Sequence, residues 1–354
     1  MFLKDTSIQE KAMVIVFTAD THFDSAFTND NSAVRNGELI SGFEGMLAYA
    51  RRIGAGAVLI GGDIFDTPYP SKEICAALTS IIKSYGDLKI FAVAGNHDPL
   101  YSTAFYSEAP ENLHIFGGEV ECVEMGDFNL YGVSVKSTGD CRDPWADVCC
   151  KQNSIILCHG MLDGEGEFSL SSATLANTGA DLVLLGHIHN SFEKPLSNGS
   201  IALYAGCLAG RGFDECGERG FYVIDTDTKK REYIKSGATR YTEYEVDISG
   251  TASAEELVAL LREIKPQTKE IARVVLTGEL FEPYTIDCAA ICGFLPQFTE
   301  IKDRSRIDIN ITKNIAENTL EGRFLRILEK RLEGDDRQKI LDAMKAGVTA
   351  LRDK

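Results

Sequence analysis

Five times within the first 190 residues a short hydrophobic run ends abruptly in a polar cluster, and this repetition constrains the fold more than any other feature of the chain. Ala12 to Ala19 runs into Asp20-Thr-His22, and Ala57 to Ile60 into Gly61-Gly62-Asp63-Ile-Phe-Asp66. Leu88 to Ala94 leads to Gly95-Asn96-His97-Asp98, Ser154 to Leu157 to Cys158-His159-Gly160, and Asp181 to Leu185 to Gly186-His187-Ile-His189. Short runs of Val, Ile and Leu alternating with helix-length amphipathic stretches are the pattern of strands buried on both faces of an α/β sheet. Sites in such sheets gather beyond the carboxyl ends of the strands, so five loops are expected at one edge. The stretches from Gly54 to Asp63 and from Gly179 to His187 echo each other, a helix ending at Gly and a strand ending at a polar side chain. They predict two stacked βαβ halves around a shared centre. With Leu113 to Val135 and Ile201 to Ile234 also reading as β-rich, the expected class is α/β, with two stacked mixed sheets flanked by helices.

The clusters hold five of the six histidines, and each mixes groups that divalent cations accept. Carboxylate, imidazole and side-chain amide together suit Mn²⁺, Fe²⁺ or Zn²⁺, whereas thiolates would dominate a structural zinc or iron–sulfur site. Two ions roughly 3.5–4 Å apart can be spanned by one carboxylate, and such a pair suits phosphate-ester cleavage. Asp63, alone directly after its strand, is the natural bridge. Asp20 and His22 can turn toward one ion together. His114 lies outside the series and reads as an ordinary histidine.

Composition narrows the class of protein. No apolar run approaches the roughly 20 residues that span a bilayer, and the amino terminus lacks a signal-like core, so a cytoplasmic location is the expectation. The ten cysteines are dispersed with no Cys-x-x-Cys pair, which reads as reduced thiols, with Cys158 as packing and Cys288 and Cys292 short of a ligand set. The net charge is −17. Residues 1–238 carry 32 acidic and 18 basic residues, and residues 239–354 carry 21 and 18. Such acidity argues against wholesale polyanion binding, but ligand carboxylates are among the 32 and two divalent ions would offset part of it.

Three segments are expected: 1–238 as the domain bearing the clusters, 239–315 as a small α+β unit, and 316–354 as a helical segment. Within the second, strands are predicted over Thr239 to Ile248, Glu270 to Leu280 and Phe298 to Ile311, with helices over Ala254 to Ile264 and Thr285 to Gly293. Helical spacing of Phe324, Leu325, Leu328 and Leu332, a break at Gly334-Asp-Asp, and a helix over Arg337 to Arg352 complete the chain.

In this order, Asp-x-His, Gly-Asp-x-x-Asp, Gly-Asn-His-Asp, His-Gly and Gly-His-x-His resemble the calcineurin-like metallophosphoesterase superfamily over residues 14 to 190. The resemblance implies one ion held by Asp20, His22, Asp63 and His189 and another by Asp63, Asn96, His159 and His187. It implies His97 as the unligated catalytic group, oriented by Asp98, and a metal-bridging hydroxide as nucleophile. Mn²⁺ is the expected cofactor, with Fe²⁺, Zn²⁺ and Mg²⁺ as alternatives. Three stretches, Thr18 to Phe27, Gly62 to Ser71 and Leu184 to His189, are similar to the SbcCD-type nuclease subunit and the bacterial DNA repair exonucleases. That group implies a DNA substrate, a capping domain at 239–315 and a terminal segment that docks on a coiled-coil ABC-type ATPase; the sequence leaves the oligomeric state open, a homodimer among the possibilities. Asp66 stands where archaeal and eukaryotic relatives have a histidine that touches DNA.

Other readings stay open beside these. The same two-ion centre could serve a small-molecule or cyclic-nucleotide phosphodiesterase or phosphatase, or could be vestigial in a scaffold. Asp66 reads as a supporting group ahead of a substrate contact, and Asp24 equally as a turn former or a functional group. Arg211, in the glycine-rich stretch from Gly206 to Glu215, either pairs a substrate phosphate or is bound to Asp214 or Glu215. The acidic loop from Asp163 to Glu167 reads as solvated.

Overall fold

Val14–Thr18 (β1) shows why the hydrophobic runs fold as they do, because Ile15 and Phe17 face one core while Val16 faces another. The computed structural model describes residues 13–27, 32–126, 128–280, 284–307, 318–331 and 337–352. The chain divides into two compact units, residues 1–240 and 241–354.

In the first unit, β1 is followed by Ser32–Ile53 (α1), Ala57–Ile60 (β2), Lys72–Ser84 (α2), Ile90–Ala92 (β3), Leu113–Ile115 (β4), Glu121–Glu124 (β5) and Asn129–Gly132 (β6). Then come Ser154–His159 (β7), Met161–Leu162 (β8), Ser169–Leu170 (β9), Ser172–Asn177 (α3), Leu182–Gly186 (β10), Phe192–Pro195 (β11), Ile201–Tyr204 (β12), Gly220–Asp225 (β13) and Arg231–Lys235 (β14). One six-stranded sheet has the order β14-β13-β1-β2-β3-β4 and the other β11-β12-β10-β7-β6-β5. Each is parallel at its centre, with antiparallel strands beyond: β13 and β14 in the first, β11 and β5 in the second. Both sheets are therefore mixed, as expected.

The layers follow from side-chain alternation. Ile15, Phe17 and Leu59 of the first sheet pack against Leu157, Leu182 and Leu184 of the second, so the sheets lie face to face. On the outer face of the first sheet, α1 buries Leu39, Phe43, Met46, Leu47 and Ala50, and α2 buries Ile74, Leu78 and Ile82. Spacing by three and four residues is the apolar stripe of a surface helix, and burying each large side chain contributes about 1.5–3 kcal/mol. The outer face of the second sheet is covered by α3 and a fully buried Trp145. Cys158 is buried in this apolar cluster.

The second unit takes in Arg240–Asp247 (β15) from its second residue onward, then Ala254–Arg262 (α4), Glu270–Thr277 (β16), Glu279–Leu280 (β17), Cys288–Gly293 (α5), Glu300–Asp303 (β18) and Arg306–Ile307 (β19). The sheet order β15-β16-β18 carries a core of Ile248, Leu257, Leu261, Val274 and Leu276. Two expected boundaries shift for local reasons. The strand over 270–280 breaks at Gly278, whose φ of +96° is left-handed, and the helix expected from Thr285 starts only at Cys288, where the Asp287 side chain caps Ala290 N–H at 2.9 Å. Leu320–Glu329 (α6) and Arg337–Arg352 (α7) pack on each other through Leu325, Met344 and Val348. The expected break at Gly334 and the strand tail beyond Ile307 lie outside the described residues. Among the described residues no helix is long and apolar enough to cross a membrane.

Candidate metal centre

The loops after β1 and β2 leave their strands together. Backbone N–H groups of Asp20, His22 and Phe23 donate to the carbonyls of Gly62, Asp63 and Ile64 at 3.0, 3.0 and 2.8 Å, so pairing continues past the sheet edge. It does so in unusual backbone, since Asp20, His22, Asp63 and His187 all have left-handed φ, between +45° and +94°. Each such residue costs on the order of 1 kcal/mol or more, and strain concentrated on four polar residues marks a site that the surrounding fold enforces. Two glycines let these loops converge. A Cβ on Gly62 would stand 2.5 Å from His159 Nδ1, and one on Gly95 would stand 2.1 Å from Asp63 Oδ1.

All seven expected ligands come together. His22 Nε2 lies 3.1 Å from His189 Nε2 and 3.7 Å from Asp63 Oδ2. Asp63 Oδ2 lies 3.4 Å from His159 Nε2, and Asn96 Oδ1 meets both His159 Nε2 at 2.8 Å and His187 Nδ1 at 2.9 Å. Asp20 accepts the His187 backbone N–H at 2.9 Å and lies 4.0 Å from His159 Nδ1. Asp20, His22 and His189, and likewise Asp20, Asp63 and His159, each offer three ligand atoms within 4.8 Å of one another. Asp63 stands between the two halves, as a bridge requires.

The chemistry of these contacts fits a cation. His159 Nδ1 is taken by the Gly61 carbonyl at 2.8 Å and His189 Nδ1 by Glu215 Oε1 at 2.6 Å. A neutral imidazole whose Nδ1–H is donated has a lone pair on Nε2. His159 Nε2 faces the amide oxygen of Asn96, a contact that takes a positive charge, either an ion or the ring's own proton. Two nitrogens each about 2.1 Å from one ion, at angles near 90–109°, are about 3.0–3.4 Å apart, and the His22–His189 spacing falls in that interval.

Electrostatics point the same way. Burial, reinforced by His159, lowers His187 to about 4, and burial lowers His22 to about 4 against the pull of Asp66; both rings are therefore neutral, as ligation requires. Burial raises the Asp20 carboxyl, and would raise Asp63, but the charge and hydrogen bond of His159 outweigh it and hold Asp63 well below the ordinary range. Burial opposes protonation of His159, yet Asp63 and Asp20 push it up to about 9. The centre wants positive charge between its carboxylates.

Among the groups around the ligands, Asp98 departs from expectation. His97 sits at the rim with its side chain 43% exposed, 4.8 Å from the His22 ring between centroids, and its backbone N–H donates to Asp63 Oδ1 at 2.9 Å. Its Nδ1 faces the Asp66 carbonyl at 3.2 Å. Asp98, expected to orient His97, is instead wholly buried. Its oxygens accept Gly95 N–H at 2.8 Å, Phe65 N–H at 2.9 Å and the Tyr106 hydroxyl, so it braces the loop that carries Asn96 and His97. The sequence order Asn96-His97-Asp98 hid this, because three successive loop side chains need not share a face. Asp66 lies 2.9 Å from His22 Nδ1, bent from good hydrogen-bond alignment, and its carboxylate is paired with Arg211. Arg211 also reaches Glu215 Oε1 at 3.2 Å.

Glu215 is the site residue that sequence reasoning missed. In sequence it stands only as a partner for Arg211, and its 26-residue separation from His189 gives no spacing signal. Asp24 accepts Ser71 N–H at 2.8 Å just ahead of α2.

The family model described as calcineurin-like phosphoesterase matches residues 13–191. The chain is 26% identical over 239 residues to the metallophosphoesterase YhaO of Bacillus subtilis, an alignment covering 60% of this chain and 57% of that protein. It is 22% identical over 257 residues to a nuclease SbcCD subunit of Staphylococcus epidermidis, covering 62% of this chain and 67% of that one. The chain thus spans little more than half the length of the first relative and two thirds of the second. Among solved structures, a Thermus thermophilus protein aligns with 64% of this chain and all of its own, at 16% identity and a TM-score of 0.43.

Proposed function

The chain belongs to the calcineurin-like phosphoesterase family, whose model covers half of it, and on that premise we propose a two-metal phosphodiester hydrolase that acts on DNA ends. The observation that carries the chemistry is the convergence of Asp20, His22, Asp63, Asn96, His159, His187 and His189, with Asp63 within 4 Å of a ring nitrogen of both halves. In this reading Asp20, His22, Asp63 and His189 hold one ion, and Asp63, Asn96, His159 and His187 hold the other. When bound, two divalent ions supply an attacking oxygen at neutral pH and neutralise charge on the phosphate. Mn²⁺ is the ion we assign.

The chain's own residues do the rest. His97 is the most open histidine of the cluster, its side chain 43% exposed, and with Nδ1–H on the Asp66 carbonyl it is as the doubly protonated ring that its Nε2–H would pass a proton to the leaving oxygen or donate to the phosphate. Asp98 and Tyr106 fix the loop beneath it. Arg211 is committed to Asp66 and Glu215, which supports a holding role over the direct phosphate contact.

The DNA assignment is supported by the similarity to the SbcCD nuclease subunit and by the stretches around Asp20, Asp63 and His187. We assign residues 1–238 as the nuclease domain, 239–315 as the substrate-capping unit, and the α6–α7 pair, with Leu320 and Ile327 exposed, to a coiled-coil ATPase partner. A second reading, a small-molecule or cyclic-nucleotide phosphodiesterase, is favoured by the net charge of −17. One assay separates them: end-labelled linear duplex, single-stranded DNA and a cyclic nucleotide, each incubated with Mn²⁺ and the wild-type or Asp63→Ala protein. Nucleotides released from DNA by the wild type alone are expected. Cyclic nucleotide turned over with both DNAs intact would replace the DNA reading with the second.

A further inference from the structure

Around one half of the centre two carboxylates that share a single cation stand behind the imidazoles, and in the other half the His159 ring has a backbone carbonyl behind it. Glu215 is 4% exposed; its Oε1 accepts His189 Nδ1–H at 2.6 Å and Arg211 Nη2 at 3.2 Å, and its Oε2 accepts the Arg211 backbone N–H at 2.7 Å. Arg211 Nη1 pairs with Asp66 Oδ1, and that oxygen lies 2.9 Å from His22 Nδ1. So His189, hydrogen-bonded to Glu215, and His22, with Asp66 close behind its Nδ1 though out of good alignment, have Nε2 atoms that meet at 3.1 Å and stand before two carboxylates clamped by one guanidinium. His159, in the other half, is backed by the neutral carbonyl of Gly61.

Resting on the two-metal reading, we propose that Asp66, Arg211 and Glu215 are positioning residues that make the two ion positions unequal, the one formed by Asp20, His22 and His189 holding its ion more tightly than the one formed by Asn96, His159 and His187. A carboxylate behind a ligating imidazole fixes the ring and makes its other nitrogen a stronger donor. Two carboxylates against one guanidinium also leave a net negative charge beside the first position, whereas a backbone carbonyl adds only a dipole.

Arg211 has two effects of opposite sign. As a charge it repels the ion; as a planar fork it keeps Asp66 and Glu215 aimed at their rings. Without it the two carboxylates repel each other, and Asp66, a quarter exposed, is free to turn toward water. The clamp therefore outweighs the charge.

The test is Mn²⁺ titration of the metal-stripped full-length protein by calorimetry, with free Mn²⁺ followed by electron paramagnetic resonance. Wild type should show two classes of site differing at least tenfold in affinity. Glu215→Ala should weaken the tight class by about 10- to 100-fold and leave the weak class within about threefold. Glu215→Gln, nearly isosteric and still able to accept from His189, should fold if the alanine variant does not, and should lose less. Arg211→Ala should weaken the tight class about tenfold, and Arg211→Lys should not restore it, because an ammonium cannot span both carboxylates. Tighter binding in Arg211→Ala, two equal classes in wild type, or a shift of the weak class alone in the Glu215 variants would overturn the inference while leaving the metal centre standing. A wild-type protein that binds no Mn²⁺ would sink the metal reading and this inference with it.

Discussion

Replacing Gly95 with Ala adds one methyl group at the point where the two halves of the centre meet, and its effect can be worked from distances. The new Cβ would fall 2.1 Å from Asp63 Oδ1 and 2.6 Å from Asp63 N, where contacts below 3.0 Å are essentially never tolerated. Relief requires movement of at least about 0.9 Å. The carboxylate cannot simply swing aside, because Oδ1 accepts the His97 N–H at 2.9 Å and the backbone of Asp63 is already left-handed. If the Gly95 loop moves instead, it takes with it Asn96, which touches both His159 and His187. Either way a bridging or ligating group is displaced by about 1 Å, and a misplacement of that size costs about 100-fold in rate, or ~2.7 kcal/mol of barrier. Overpacking should cost a further ~1–3 kcal/mol of stability without unfolding the protein. The assay is Mn²⁺-dependent hydrolysis of bis-(p-nitrophenyl) phosphate, with thermal unfolding followed in parallel. Gly37→Ala on α1, where the added methyl group meets nothing within 4 Å, is the matched control and should retain wild-type turnover. A Gly95→Ala enzyme within threefold of wild type would refute the reasoning, since it would mean that the close approach of Gly95 to Asp63 is not needed to hold the centre.

Further outcomes are open to measurement. His97→Ala should lower kcat by about 10²- to 10⁴-fold while metal stoichiometry, measured by elemental analysis, stays at the wild-type value; loss of an ion would make His97 a ligand instead. Asp63→Ala should remove both ions or leave one weakly held, with turnover abolished, and retention of two tightly bound ions would exclude a bridging role. Chelation of wild type should abolish hydrolysis and Mn²⁺ should restore it. Iodoacetamide at pH 8 should label the exposed Cys122, Cys141, Cys149 and Cys216 first, while Cys158 and Cys207, whose thiols burial pushes far up, react only after unfolding; peptide mass spectrometry showing early labelling at Cys158 would contradict its packing in the apolar cluster.

Much of the first unit was legible because buried strands leave a dense signal. Val14–Thr18, Ala57–Ile60 and Leu182–Gly186 are apolar on both faces, and each stops where its loop must turn polar at the sheet edge. The ligands sit in the first residues of those loops, so strand and site were read from the same stretch. The supporting groups were not legible in this way. Glu215 reaches His189 from the stretch following β12, Tyr106 reaches Asp98 from a short turn beyond the histidine loop, and Asp66 and Arg211 meet across 145 residues of chain. Such contacts depend on how loops converge in space, and no periodicity encodes that. Asp98 shows the converse hazard. Its place beside His97 in sequence suggested a partner, while the turn directs its oxygens to Phe65, Gly95 and Tyr106.

A two-metal centre requires two ions sharing Asp63, and anomalous diffraction from crystals soaked in Mn²⁺ addresses that claim most directly. Two peaks are expected, one among Asp20, His22 and His189, the other among Asn96, His159 and His187, with Asp63 contacting both. A single peak, or density away from these side chains, would contradict the assignment.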